Sequence, residues 1–340
     1  MNPAGRIRRL RIGVPVVLLA FLAFSCGSGF DVAGGGTGGT GISTGAVSGF
    51  GSVIVSGVHF RTDDDVAPGF KTKKESRGDK SGRPDQEVFA VGMVVTVRHG
   101  AGDNNAREIE YRDNLRGPIA GITPGTDNII EVLGQTVVVD DNTIFDGTTF
   151  AFPQRGDVVE VSGFADSAGR IRAAYILTMG PPMPPPFQKF EVKGFVSRLS
   201  NNTFRLGPLP DGSGMTVAVS YDAGAMAGLS GGLDNGMFVQ VTTTNMAPVA
   251  ESISAILIER LTPRTEFPDG AAVDLEGLVT APPSGSGKVL SFAVEGKRIR
   301  TNDATDFTGH SPAEIQPDTR LLVRGTETGG DLFAARIDFR

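Results

Sequence analysis

The sequence predicts an all-β chain built as four tandem small five-stranded β-barrel modules, with an OB-like path as the candidate strand order. Three observations carry this reading. First, a glycine followed two residues later by a β-branched residue opens each of four copies: Gly45-Ala46-Val47, Gly117-Pro118-Ile119, Gly194-Phe195-Val196 and Gly277-Leu278-Val279. The openings are 72, 77 and 83 residues apart. Second, each copy later carries a segment whose apolar residues alternate, as they must when every other side chain shares one face of a strand. These segments place Val95 and Val97, Val159 and Val161, Val239 and Val241, and Leu321 and Val323 on one face. Third, a closing strand mixing alanine with larger aliphatics follows, at Ala106–Ile109, Ala173–Ile176, Ala255–Ile258 and Ala334–Ile337. Polar, glycine-containing turns such as Asp166-Ser167-Ala168-Gly169 and Glu327-Thr328-Gly329-Gly330 supply the hairpin chemistry before it.

A repeat of this size buries a core only by curling or by packing on a neighbour, and closing into a barrel removes most exposed strand edges. The expected divisions are 45–112, 116–179, 190–260 and 274–340. Helix is expected only as a short turn at Ala223–Leu229. The middle of the second copy reads Thr143-Ile144-Phe145 after a strand and an Asx-rich turn. The fourth repeats it at Thr305-Asp306-Phe307, and the phenylalanine is expected to plug one end of the barrel.

These motifs together resemble the DUF5666 domain family, for which a Gly-x-Val or Gly-x-Ile opening, a Thr-x-Phe, a Gly-Asp-x-Val-x-Val-x-Gly strand and an Ala-x-x-Ile strand are the matching features. The second copy matches most fully. The fourth lacks the glycine before its late strand, the third lacks a clean Thr-x-Phe, and the first lacks it too and carries an insert. The resemblance implies four divergent copies and brings no activity to be carried over to particular residues.

The first 25 residues read as a targeting segment. Arg6, Arg8, Arg9 and Arg11 precede an apolar run of 11 residues, Val14–Phe24, which is short of the ~20 that span a bilayer as a helix. The run ends at Leu22-Ala23-Phe24-Ser25-Cys26, which resembles the lipobox of bacterial lipoproteins, with Ala23 where that pattern usually has Leu. The resemblance implies that Cys26, the single cysteine of 340 residues, becomes the lipidated N-terminus. Membrane lipid held through Cys26 is therefore one expected partner, and the bacterial cell envelope the expected location. Gly27 does not resemble the aspartate associated with inner-membrane retention, so the outer membrane is the expected destination in a host that has one.

Residues 26–44 then form a glycine-rich stretch expected to be a flexible tether. Cleavage before Cys26 removes four arginines and takes the formal charge from -6 to about -10. An acidic chain without tryptophan lacks the basic, aromatic groove that nucleic acid needs, and no nucleic-acid partner is expected.

Three connections stand out. Residues 61–87 of the first copy, with Asp63-Asp64-Asp65, Lys73-Lys74, Arg77 and Arg83, contain few apolar residues and are expected to be an exposed charged loop. Residues 180–189 are proline-rich and expected to be a semi-rigid spacer. The short gap from Tyr111 to Gly117 suggests that copies one and two pack as a pair.

No catalytic constellation and no cofactor are expected. His59, His99 and His310 fall in different copies and show no metal-ligand spacing. Asp63–Asp65, Asp140-Asp141-Asn142 and Asn302-Asp303 offer oxygens that calcium requires, but none follows the EF-hand pattern, and turn capping is the expected use. Glu160 with Asp157, flanking an alternating strand, should face solvent. A serine with His310 and Asp306 lacks the nucleophile-elbow context. The expected role is thus an envelope repeat protein with a structural or protein-interaction function. The alternative is a binding module for an extracellular glycan, peptide or small ligand, for which clustered aromatics or a polar pocket would be the sign; Phe152, Phe164, Tyr175 and Phe187 are the aromatic candidates. A hydrolase with an unrecognised site is the remaining reading.

Overall fold

The computed structural model describes residues 41–65, 69–100, 102–147, 152–181, 189–229, 231–244 and 252–340. Cys26, the targeting segment, Phe187 and most of the proline-rich spacer lie outside the described residues. Unit one contains β1 (Gly41–Gly49), β2 (Val53–Val55), β3 (Val58–Phe60), β4 (Lys73–Ser76), β5 (Val94–His99) and β6 (Ala106–Tyr111), with the short helix α1 (Asp85–Val88). Unit two contains β7 (Leu115–Thr123), β8 (Asn128–Val132), β9 (Gln135–Val139), β10 (Ile144–Gly147), β11 (Val158–Ala165) and β12 (Ile171–Gly180). Unit three contains β13 (Phe190–Ser200), β14 (Thr203–Gly207), β15 (Val217–Ser220), β16 (Phe238–Thr243), β17 (Ser252–Ser254) and β18 (Leu257–Arg260). Unit four contains β19 (Ala272–Ser286), β20 (Val289–Val294), β21 (Lys297–Arg300), β22 (Arg320–Thr328) and β23 (Asp331–Phe339). The fold is all-β with mixed sheets, and two 3-10 turns, Gly224–Met226 and Pro312–Glu314, add to α1.

In unit two the pairings run β7–β8–β9–β12–β11 and return to β7, with β9 and β12 parallel. Unit four repeats the circuit as β19–β20–β21–β23–β22. The units are not the separate small barrels that the repeats suggest. The first strand of each unit begins two to five residues before the glycine triplet, and this overhang presents an edge that pairs outside its own circuit. Gly41–Thr44 of β1 pairs in parallel with Ala272–Leu275 of β19. Glu191 and Val192 of β13 pair antiparallel with Arg116 and Leu115 of β7. An unpaired edge carries open N–H and C=O groups, and each overhang satisfies those of another. The strands join into one 11-stranded and one 12-stranded sheet, a solenoid-like array.

Two expectations change accordingly. The end of the predicted tether, Gly41–Thr44, is strand, with β5 on its other side and Ile42 buried in the core of unit four. The strand-paired partners are units one and four and units two and three. Units one and two instead meet through side chains: Tyr175 of β12 is buried in the core of unit one, and Val94, Phe164, Ala174 and Leu278 form a small cluster joining units one, two and four.

The triplet glycine has a steric reason. The hairpins β2–β3, β8–β9 and β20–β21 turn on Ser56-Gly57, Leu133-Gly134 and Glu295-Gly296, in which both residues have positive φ, as the type I′ turn requires. The first residue of each turn lies against the triplet glycine of its own unit: a Cβ on Gly45, Gly117 or Gly277 would come within 2.1, 2.7 or 2.3 Å of Ser56, Leu133 or Glu295.

The threonine of Thr-x-Phe ties two strands. Thr143 Oγ1 donates to the Ala173 carbonyl and Thr305 Oγ1 to the Ala334 carbonyl, each at 2.8 Å. Unit one has the same bond: Thr72 Oγ1 donates to the Ala106 carbonyl at 2.8 Å. The first copy therefore has this motif as Thr72-Lys73-Lys74, within the segment expected to be an exposed loop. That segment contains β4, which pairs in parallel with β6 as β10 does with β12, and it buries Thr62, Thr72, Lys74 and Asp85.

Gly163 and Gly325 lie at bulges within the late strands, where a Cβ would lie 2.2 Å from the Arg172 carbonyl oxygen and 2.1 Å from that of Phe333. Gly163→Ala and Gly325→Ala should each lower unfolding free energy by about 1–3 kcal/mol, the ordinary cost of overpacking. Urea denaturation checks this.

Candidate functional site

The polar residues that matter lie where the units meet. Glu160 on β11 is fully buried, contrary to its expected solvent-facing position. Its strand is covered on both faces, so alternation does not bring it to water. It receives the Tyr111 hydroxyl at 2.9 Å and lies 2.6 Å from Arg77 Nη2, which unit one delivers from the turn after β4. Burial and the nearby Asp113 push Glu160 above the usual carboxylate range, against the pull of Arg77. Burial, with Glu160 adding to it, raises the Tyr111 phenol well above its ordinary value.

Next to them Asp113 Oδ1 accepts from Lys193 Nζ of β13 at 3.0 Å, both side chains buried. Arg116 and Glu191, cross-strand neighbours on β7 and β13, pair at 3.0 Å. A strap at residues 261–271 joins units three and four and sends Arg264 into the junction, where Nη2 donates to the Gly163 carbonyl at 3.0 Å and lies 3.9 Å from Glu295. Glu295 is the left-handed residue of the β20–β21 turn, and its carboxylate accepts from the backbone N–H of Ala165 at 3.2 Å and of Leu278 at 3.4 Å. Burial pushes its pKa up to about 7 despite Arg264, and burial lowers that of Arg264. Arg264, Asp113, Lys193 and Glu295 line a cavity of about 50 Å³, with Phe195, Phe238 and Pro208 forming an apolar wall. Two buried atoms in its lining residues have no hydrogen-bond partner among the described residues: Arg264 Nη1 and Asp113 Oδ2. Sequence pattern does not reveal this site, though Glu295-Gly296, as a two-residue hairpin turn, was a readable signal for where that carboxylate points.

A second polar cluster lies in unit one. Asp63, Asp64 and Asp85 are the one trio among the described residues close enough to share a metal ion. The position between them holds Lys74 Nζ, at 2.9, 3.3 and 2.7 Å from the three carboxylates, with the Arg83 carbonyl at 2.8 Å. Burial opposes the charge of Lys74, but the bonds to Asp85 and Asp63 raise its pKa overall; burial raises that of Asp85. The ammonium thus occupies the place a cation would take. The other acidic turns bind their own backbones: Asp140 Oδ1 accepts from Asn142 N, and Asn302 Oδ1 from Ala304 N.

The histidines lie apart. His59 contacts Ser52, and His310 pairs with Glu314 and stacks on Phe339; neighbouring Ser311 caps a 3-10 turn. His99 Nδ1 faces the carbonyls of Gly100 and Asp103 at 3.0 Å each, and Nε2 lies 3.5 Å from Ser43 Oγ. Asp274 pairs in register with Ser43 across the β1–β19 seam. Ser43 is 1% exposed, so this Ser-His-Asp grouping is closed to substrate and ties the seam. Of the aromatic candidates, Phe164 and Tyr175 are core residues, and Phe152 packs on Phe145.

The profile of the family described as "Domain of unknown function (DUF5666)" matches residues 116–176 and 276–338. Two segments of the chain match this domain family. They coincide with units two and four, in which the Thr-x-Phe threonine and the bulge glycine are both present. No curated protein matches the chain. Among solved structures, "drosophila Unr CSD456" is similar at 16% identity, covering 66% of this chain and 96% of that chain with a TM-score of 0.19, a score too low to carry an argument. Among the described residues no helix is long and apolar enough to cross a membrane.

The buried charges of units one and four generate two predictions. Lys74→Met leaves three carboxylates without their cation and should cost about 3–5 kcal/mol at neutral pH. The deficit should shrink in acid, where Asp85, whose carboxyl burial pushes above the usual range, takes up its proton; urea melts at neutral and acidic pH test it. Glu295 holds its proton in the folded state to a higher pH than in the unfolded chain, so its neutral form favours folding. That contribution is complete below about 4.5 and falls by about 3 kcal/mol as pH rises to about 7. Glu295→Gln should remove this slope from the stability-pH profile.

Proposed function

We propose that the chain is a lipid-anchored protein of the bacterial envelope whose four DUF5666-like units act together as one rigid, non-catalytic interaction scaffold. Units one and three, outside the family match, are divergent copies in this reading, supported by their strand orders, β3–β2–β1–β5–β6–β4 and β17–β15–β14–β13–β16–β18, and by Thr72 bonding Ala106 as Thr143 bonds Ala173. The observation that carries the proposal is the pairing of the first unit with the last through β1 and β19. It supports an array that holds its units in fixed relation, with Arg77–Glu160 and Lys193–Asp113 reinforcing the other joints. Independent beads on a string would serve a passive spacer equally well without such joints. The anchor rests on Cys26 and the segment before it. A lipoprotein cysteine carries more than one acyl chain, which meets the need for two anchoring signals.

Two measurements test the proposal. Intact-mass analysis of envelope-extracted protein should show loss of residues 1–25 with gain of acyl mass, and neither in Cys26→Ala; an unacylated parent removes the anchor. Calorimetry should show one unfolding transition for all four units, and separate transitions would remove the rigid scaffold.

A further inference from the structure

The ion pair between Lys193 and Asp113 has the reactants of an amide bond in place. Lys193 on β13 and Asp113 in the link from β6 to β7 have side chains 5% and 7% exposed, with Nζ 3.0 Å from Oδ1. That contact puts the nitrogen one C–O bond away from the carboxyl carbon. Backbone pairing holds both residues: Glu191 and Val192 lie in register with Arg116 and Leu115, and the Lys193 N–H donates to the Asn114 carbonyl at 2.9 Å. Reactants fixed in attack geometry reach effective concentrations of about 10⁵–10⁸ M. In water an ammonium and a carboxylate are favoured over their amide because both charges are solvated. Burial removes that solvation, and here it is poorly replaced, since Asp113 Oδ2 is buried without a hydrogen-bond partner among the described residues. Condensation removes both charges. Glu191 Oε2, 3.8 Å from Lys193 Nζ on a side chain 23% exposed, is placed to relay a proton. The cavity of about 50 Å³ that both residues line has room for the released water, which needs roughly 10–15 Å³. Two other enclosed lysines lack this combination. At Lys74, condensation with Asp85 would leave Asp63 and Asp64 without their cation. Lys297 lies 2.6 Å from Glu327, but the Phe267 ring 5.4 Å away favours its charged form.

We propose that Lys193 and Asp113 condense into an intramolecular isopeptide bond that fastens unit three to the link between units one and two. One Nζ proton passes to Oδ1, giving an amine and a carboxylic acid. The nitrogen lone pair attacks Cγ, a second Nζ proton travels through Glu191 to the Oδ1 hydroxyl, and the Cγ–Oδ1 bond breaks. The products are an amide, with Oδ2 as its carbonyl oxygen and the third proton on its nitrogen, and one water. The bond goes beyond the scaffold role, and its absence would leave the strand seams as they stand.

Trypsin digestion of the denatured full chain, read by mass spectrometry, tests this. With Lys193 free, residues 113–116 and 190–193 leave as separate peptides. The bond blocks cleavage after Lys193 and yields one branched peptide holding residues 113–116 and 190–198, one water lighter than its two parts. The branched peptide should dominate in the parent and be absent from Lys193→Arg, which keeps the charge but not the amine. Glu191→Gln, which keeps both reacting groups, should slow branching after synthesis about a hundredfold, the low end of what a proton-transferring side chain contributes. Separate peptides alone in the parent overturn the proposal. So does loss of water without branching, the sign of a succinimide closed between Asp113 and the Asn114 N–H. Branching as fast in Glu191→Gln as in the parent overturns the relay.

Discussion

The structure depends on where the first strand of each unit finds its second neighbour. A strand circuit of this size satisfies its own backbone only over the length that the circuit covers, and the overhanging residues of β1, β7, β13 and β19 need partners elsewhere. They find them in one another, β1 with β19 and β7 with β13. Once those two seams form, the remaining contacts between units follow. Ile42 enters the core of unit four, Tyr175 enters that of unit one, and the polar residues beside the seams are enclosed. Charge at the joints is then paired because it must be: a lone buried carboxylate costs several kcal/mol, and Glu160, Asp113 and Glu295 each have a cation close by.

Unit one shows how the same backbone scheme accepts different chemistry. Its threonine bond is identical in length to those of units two and four, but two residues later Lys74 stands where the others have Phe145 and Phe307. An aromatic plug needs only apolar walls. A lysine needs oxygens, and residues 63–64, 83 and 85 supply them. The extra length of unit one is therefore tied to that one substitution: the segment surrounds an ammonium with carboxylates and folds in doing so.

How far these features were legible in the sequence depends on their range. The late strands carry Val159 and Val161 or Leu321 and Val323 in plain alternation, and the all-β class follows from them. The threonine motif was legible in units two and four, where a short Asx turn precedes it. In unit one the intervening Asp64–Lys71 separates Asp63 from Thr72 and conceals it, and the charged run reads as solvent-facing because its opposite charges neutralise one another only in three dimensions. The seams were illegible for a related reason: Ile42-Ser43-Thr44 has no nearby partner, and the glycines before it suggest flexibility. Arg264 is one arginine in a polar link, and nothing local distinguishes it from its exposed neighbours; only the fold brings it to Glu295, Asp113 and Lys193.

The seam between β1 and β19 joins Gly41 to Ala272, 231 positions apart in the chain. Closing a loop of that length carries an entropic cost that local contacts do not offset, and folds dominated by such pairings form slowly. During synthesis, Ile42 and the edge of β1 that faces β19 emerge well before their partner and wait until almost the whole polypeptide has followed. For that interval the chain displays an unsatisfied strand next to an apolar side chain, the kind of surface on which nascent proteins aggregate.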